Sequence, residues 1–286
     1  MATLLARSKK MKKALMVLLT LVLAVSLFAQ GGKEVSNISV ISREDGSGTR
    51  GAFTEIVGLL DSNKVDQTTF DAEIANSTSV VITTVQGNKN AIGYISLGSL
   101  NDSVKAVTVN GVEATQENIV NGSYPLQRPF NIAYKTLTPV AEDFISYLFS
   151  TQGQSVISSK GYVSVPANGD YKSSMISGKL TISGSSSVYP VMEVLVEAYE
   201  ALNPNVDISL QQSDSTTGMK DAISGVSDIG MASRELKASE LESGLTPKVI
   251  AIDGIAVIVN KENPVTNLTM DQIKSIYLGE TKTWEF

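Results

Sequence analysis

A chain of 286 residues, 42% of them hydrophobic and 18% charged, can bury one large core or two ordinary ones. It has no cysteine and no histidine, which excludes disulfides, thiolate metal sites, a cysteine nucleophile, the Ser-His-Asp triad and the commonest metal ligand. Acidic residues outnumber basic ones 29 to 23, so neither nucleic acid nor an anionic membrane surface is favoured as a partner.

The first element is a leader. Residues 1–30 place Arg7, Lys9, Lys10, Lys12 and Lys13 ahead of the apolar run Ala14 to Ala29, the pattern of a secretory signal and short for a membrane span. An uncleaved anchor is the alternative. Removing its five basic residues from the 23 leaves 18 against 29 acidic ones, a formal charge of −11. Gln30 stands where a lipoprotein would carry cysteine, so no lipid anchor is expected.

Short β runs then alternate with helical patterns, which predicts an α/β fold. "NISVIS" (37–42) reads as a strand, and after Gly48 the apolar residues Ala52, Phe53, Ile56, Val57 and Leu60 follow the helical period. "AIGYISL" (91–97) is a second strand. A helix is predicted from Pro139 to about Ser159, carrying Val140, Phe144, Leu148, Val156 and Ile157, with Gly161 at its end. The polar stretch 165–178 reads as a linker. "KLTIS" (179–183) leads into a helix striped by Val188, Met192, Leu195, Tyr199 and Leu202. "VDISLQ" (206–211) precedes a helix with Met219, Ile223 and Val226 on one side, and "VIAIDGIAVIVN" (249–260) closes the set.

Three of these transitions share a chemistry. "SREDGSGT" (42–49), "SGSSSVYP" (183–190) and "SDSTTG" (213–218) each run from strand through small, mostly hydroxylated residues into a helix. Such a turn aims free N–H groups and the positive end of the helix at one point, where an anion can sit. Arg43 adds a charged fork, and Ser47 and Thr49 add hydroxyls. The plainer alternative is that Ser47 or Thr49 caps a helix while Arg43 pairs with Asp45 on the surface. Three such starts converging would hold a small oxyanion with neutral donors, which suits an acidic protein.

At these residues the chain resembles the substrate-binding proteins of bacterial phosphate ABC transporters. "SGSSSVYP", "DIGMASRELK", "IAIDGIAVIVNKENPV", "SREDGSGTRGAF", "AIGYISL" and "RPFNIAYK" carry the likeness. It implies a two-lobed type II periplasmic-binding-protein fold, each lobe a central mixed sheet flanked by helices, joined by two crossing strands. The segment order differs from the usual one, because the "SREDGSGT" motif precedes "SGSSSVYP" and the chain ends near "TKTWEF". A circular permutation is expected, with 165–178 linking the former termini. The lobes would then be 34–128 with 265–286, and 129–264.

The resemblance also implies a monomeric, extracytoplasmic carrier of inorganic phosphate that serves a membrane permease, with no catalytic residue, cofactor or metal. It makes Arg43 the cationic ligand, held by Asp45, with Ser47, Gly48 and Thr49 as donors. Val188 and Tyr189 would contribute N–H groups and Ser187 a hydroxyl, with Ser215 from the following helix start. Ser233 and Arg234 stand where related chains carry an aspartate. Phosphate keeps a proton near neutral pH and needs an acceptor, so either Asp214 supplies it or Arg234 binds the anion and alters selectivity; Arg234 as a surface ion pair with Glu235 or a neighbour is the third option. Asp253 is assigned to structure or the cleft rim, and Trp284 to core or hinge packing. The rivals are a binder of sulfate, molybdate or a phosphonate, and a hydrolase using Ser47 or Ser187 with a lysine base.

Overall fold

The computed structural model describes residues 36–284; the leader lies outside them. In chain order, β1 (Ser39–Arg43), α1 (Gly48–Val57), β2 (Glu73–Ala75), α2 (Thr78–Gly87), β3 (Ala91–Ser96), β4 (Lys105–Ala106), β5 (Thr108–Val109), α3 (Gln116–Val120) and β6 (Gln127–Tyr134) form the first half. The second half holds α4 (Pro139–Leu148), α5 (Thr151–Ser159), β7 (Val163–Ser164), β8 (Gly178–Ser185), α6 (Tyr189–Leu202), β9 (Val206–Ser213), α7 (Ser215–Ser224), β10 (Ile229–Ala232), α8 (Ala238–Glu242), β11 (Thr246–Val259), β12 (Asn267–Leu268) and α9 (Met270–Tyr277).

The main sheet runs β2-β1-β3-β11-β6-β10-β8-β9. Each end is parallel, β1 pairing with β2 and β3, and β8 with β9 and β10, whereas β11 and β6 run antiparallel through the middle. Helices cover the parallel parts, as their buried, nearly continuous apolar strands require.

Among the described residues, two larger cores form on this frame beside two smaller buried clusters. One gathers Phe53, Ile92, Tyr94, Leu126, Ile255, Val257, Ile273 and Tyr277; the other gathers Phe130, Ile132, Phe144, Ile182, Val191, Leu195, Tyr199 and Ile250. Large side chains fully buried in this way each contribute about 1.5–3 kcal/mol. β11 serves both cores, with Ile250 and Ala251 in the second and Ile255, Val257 and Val259 in the first. β6 beside it brings Phe130 and Ile132 to the second core, shortly after Leu126, which precedes the strand and packs in the first. β6 and β11 are the two crossing strands of a two-lobed α/β fold.

Several sequence expectations shift locally. The helix predicted over 139–159 is two helices, because Ser150 caps a new start by accepting from the Gly153 N–H at 3.1 Å. Gly153 sits so close to the preceding turn that a Cβ would lie 2.2 Å from the Tyr147 carbonyl oxygen. Leu60 falls beyond α1, which stops at Gly58 with φ 76°, a left-handed cap that glycine adopts without strain. Leu202 and Val226 are exposed at helix ends, where the stripe has turned away from the core.

The polar stretch 165–178 is docked rather than loose. Thr151 N–H donates to the Gly169 carbonyl and Asn168 N–H to the Phe149 carbonyl, both at 2.8 Å. Tyr171 enters the second core edge-on to Tyr147, its hydroxyl donating to Asp143 and accepting from Asn203 Nδ2. Replacing Tyr171 with alanine is therefore expected to destabilise the fold by about 3 kcal/mol, against less than about 0.5 kcal/mol for exposed Met175→Ala, measured by urea unfolding. Equal midpoints for the two variants would show the segment to be unanchored.

Candidate functional site

The site is built outward from the first core. Phe53 of α1 stacks on Tyr94 of β3 with centroids 3.9 Å apart and meets Tyr277 of α9 edge-on. This fixes the start of α1 over the C-terminal end of β1, where a parallel sheet opens to ligands. Tyr94 then turns its hydroxyl to Ser42 Oγ at 2.9 Å and accepts the Arg43 N–H at 3.2 Å. Burial pushes the Tyr94 phenol up to about 12, so it stays protonated and holds the loop as a neutral group.

Four helix starts meet here. Ser47 caps α1 and Ser77 caps α2, each accepting an N–H from the third residue on, whereas α6 begins at Val188 without a side-chain cap and α7 begins at Asp214. Thr49 Oγ1 lies 2.8 Å from Ser187 Oγ, which lies 3.1 Å from Thr78 Oγ1. Arg43 Nη2 donates to Ser186 Oγ at 3.0 Å, and Nη1 to Thr78 Oγ1 at 3.4 Å. On the facing side the Ser233 N–H donates to Ser215 Oγ at 3.1 Å. Thr216 donates through N–H and hydroxyl to the Gly46 carbonyl, both at 3.1 Å, joining the starts of α7 and α1 across the cleft.

Arg43, Ser47, Thr49, Thr78, Ser186, Ser187, Ser215 and Ser233 are all buried. A guanidinium and this many hydroxyls enclosed at helix N-termini give convergent donors for one small oxyanion. The Ser47 hydroxyl accepts the Arg50 N–H, and the Ser187 hydroxyl lies against those of Thr49 and Thr78.

With that geometry in place, the comparisons are specific. A family profile described as the PBP superfamily domain matches residues 28–152 and 169–285. The chain belongs to the PBP superfamily. It is 49% identical over 253 residues to phosphate-binding protein PstS 2 of Streptococcus agalactiae, covering 86% of either chain. The crystal structure of a phosphate ABC transporter, phosphate-binding protein from Streptococcus pneumoniae, matches with a TM-score of 0.70 and 46% identity, over 87% of this chain and 98% of that one. Phosphate-binding protein PstS of Pseudomonas aeruginosa is 33% identical over 135 residues, 42% of either chain.

Within this superfamily member, Ser47, Gly48, Thr49, Ser187, Ser215 and Ser233 lie close together. Others are positioned differently. Arg43 is gripped by Glu44, Nε to Oε2 at 2.8 Å and Nη2 to Oε1 at 2.7 Å. Asp45 instead faces solvent and pairs with Arg50 at 2.7 Å, because Arg50 lies on the outer side of the loop and also binds Asp66. Asp214 caps α7, with its two oxygens on the Thr217 N–H and hydroxyl, and its carboxylate lies against Gly46 of the facing loop. Val188 buries its side chain in the second core and turns its N–H to the Ser185 carbonyl at 3.1 Å. Tyr189 stands at the first position of α6 with its N–H at the helix start, while its hydroxyl donates to Glu193.

Arg234 pairs with a neighbour, Glu240, rather than with the Glu235 side chain, and it does so in a buried position instead of at the surface. Its fork binds both oxygens of Glu240, at 2.7 and 2.9 Å, and Nη1 also donates to the Glu235 carbonyl. Burial alone would raise the Glu240 carboxyl, but the Arg234 bonds and the Lys237 N–H hold it below its ordinary value. Trp284 packs on the first core and donates to the Asn90 carbonyl at 3.0 Å.

Two seat residues escape the sequence reading. Thr78 opens α2 after "NS", a fourth strand-to-helix turn, but its strand is three residues long and only Thr78, Val81 and Val85 of its helix are buried, so the periodic signal is faint. Ser186 sits beside Ser187 in a run of three serines, and residue type alone does not say which one Arg43 meets.

Gly48 supplies a test of the closed seat. A Cβ there would lie 2.4 Å from Ser215 Oγ and 2.8 Å from Ser233 Oγ, whereas one on Gly51 would come no nearer than 3.7 Å to Arg234 Cδ. Gly48→Ala is expected to weaken inorganic phosphate binding at least about tenfold, roughly 1.4 kcal/mol, with little change in melting temperature, while Gly51→Ala binds as wild type. Calorimetry on both decides it; undiminished binding by Gly48→Ala would mean that the two faces do not close on the ion.

Proposed function

We propose that this protein binds inorganic phosphate in the cleft between its lobes, outside the cytoplasmic membrane, and hands it to an ABC permease without chemistry of its own. The observation that carries the reading is the enclosed cluster of helix starts and hydroxyls around Arg43. The phosphate-binding proteins of Streptococcus agalactiae and Streptococcus pneumoniae, similar over nearly the whole chain, support it. The basic and apolar leader supports export.

The lobes are proposed to divide where β11 changes cores, so that, of the described residues, 36–128 pair with 255–284 and 129–254 form the other lobe, a boundary ten residues before the 264/265 expected from the sequence. Core membership supports this cut, since Ile255, Val257 and Val259 pack with Phe53 and Tyr94. Sequence order supports a circular permutation relative to some relatives. The match to the Pseudomonas aeruginosa protein stops at 42% of either chain, whereas that to the Streptococcus agalactiae protein covers 86% of either chain. A permuted pair aligned end to end would match over one part at a time.

Selectivity follows from what faces the ion. With Asp214 capping a helix, the acceptors turned to the seat are hydroxyl oxygens, which can take the proton that phosphate keeps. Sulfate then loses about one hydrogen bond and meets no opposing carboxylate, a penalty of about 1–3 kcal/mol. Titration calorimetry should give one phosphate per chain and sulfate weaker by about 5- to 150-fold, with Asp214→Asn discriminating as wild type does. Tighter binding of sulfate than of phosphate would overturn the reading in favour of another oxyanion, and release of phosphate from esters at turnover rates would overturn it in favour of a hydrolase.

A further inference from the structure

The strands that cross between the lobes carry one ion pair at the crossing. Asp253 of β11 stands opposite Arg128 of β6 in the antiparallel register, and both are buried, at 1% and 3% exposure. Arg128 Nε and Nη2 donate to Asp253 Oδ2 at 3.2 and 3.1 Å. The other bonds of the pair reach in opposite directions. Ser96, at the end of β3 in the Phe53 lobe, donates to Asp253 Oδ1 at 2.9 Å, while Arg128 Nη1 donates to the Ser233 carbonyl in the other lobe at 3.1 Å.

Ser233 is a seat residue. Its N–H holds Ser215 Oγ, and its own hydroxyl lies 3.4 Å from the same atom. A continuous path therefore runs from Ser96 through Asp253, Arg128 and Ser233 to Ser215. Burying two charges is costly, and apolar residues of similar size are often as stable in such a place. Stability alone does not account for a pair set where the chain changes lobes.

We propose that Arg128 and Asp253 are positioning residues of the anion site: the ion pair fixes the lobes in the binding relation and holds Ser233, and through it Ser215, at the seat. The proposal rests on the phosphate reading above. Around Asp253 the ionisable groups are Arg128 on β6, Tyr124 ahead of β6 and Tyr162 ahead of β7, and Arg43 acts on Arg128 in turn. Burial pushes the Asp253 carboxyl up to about 6, against the pull of Arg128 and Ser96. The folded state thus binds this proton more tightly than the unfolded chain, so ionising Asp253 takes stability away as pH rises from the ordinary carboxylate range through about 6. Below about 6 the pair loses its negative member and the strut its charge.

The test is calorimetry with inorganic phosphate on the wild type, Asp253→Asn and the charge-free double variant Arg128→Met with Asp253→Leu, from about pH 5 to 8, with melting curves alongside. Above pH 7 Asp253→Asn should bind at least about tenfold more weakly than wild type, a typical size for coupling between sites. The ratio of the two should shrink toward one below about pH 6, where wild-type Asp253 is also neutral; the titration of phosphate itself is common to both and cancels. The double variant should melt at or above the wild-type temperature yet bind at least about tenfold more weakly, and it decides the matter if Asp253→Asn does not fold. A ratio that stays flat with pH, or a double variant that binds like wild type, overturns the proposal while leaving the phosphate reading intact. A wild type that binds no phosphate overturns both.

Discussion

The structure depends on bringing unsatisfied helix N-termini from both sides of a cleft to one enclosed point. Each start leaves N–H groups without intrahelical partners, and such groups are tolerated in a buried place only if hydroxyls, carbonyls or a ligand meet them. Here hydroxyls do much of that work: Ser47 and Ser77 cap their own helices, while Thr49, Thr78, Ser186 and Ser187 bond to one another. Hydroxyls can rotate between donating and accepting, so the same set that satisfies the closed seat can reorganise around an oxyanion. The aromatic stack of Phe53, Tyr94 and Tyr277 gives this polar cluster a rigid floor, linking core packing to the precision of the seat.

Much of this was legible in the sequence because it is local. Strand-to-helix turns rich in serine, threonine and glycine announce their geometry within eight residues, and the periods of 91–97 and 249–260 give strands that the structure contains. What remained hidden is what depends on tertiary partners. Arg43 has carboxylates at both 44 and 45, and only the direction of the loop decides that Glu44 grips it while Asp45 turns to Arg50. Asp214 and Arg234 fit an anion site by residue type, yet one caps a helix and the other pairs with Glu240, six residues on. Asp253 carried no sign of its partner, because Arg128 lies 125 residues away and meets it through strand register.

The stretch 165–178 shows the same limit from the opposite side. Its polar, glycine-containing composition is that of a linker, and composition governs a segment's stiffness when nothing else touches it. Tyr171 changes that, because one buried ring with two hydrogen bonds offsets the entropy of ordering its neighbours. If this segment joins former termini, it adds to the second core instead of merely spanning a gap, so the new connection and the stability of that lobe are not separable.

Charge placement explains how an acidic chain can hold an anion at all. Long-range attraction is not available from the protein as a whole, since acidic residues exceed basic ones and solvent salt screens charges beyond about 10 Å. Even the cation of the seat is partly neutralised, because Glu44 shares two of its donors. Arg128 and Arg234, the other guanidiniums near the cleft, are matched by Asp253 and Glu240. Net attraction must then come from short-range dipoles and hydrogen bonds that act only once the ion is inside and water is out, where their worth rises as the dielectric falls. A seat built this way would hold an ion only with both faces in place around it, so the proposed site ties recognition to closure and to the geometry of the two crossing strands.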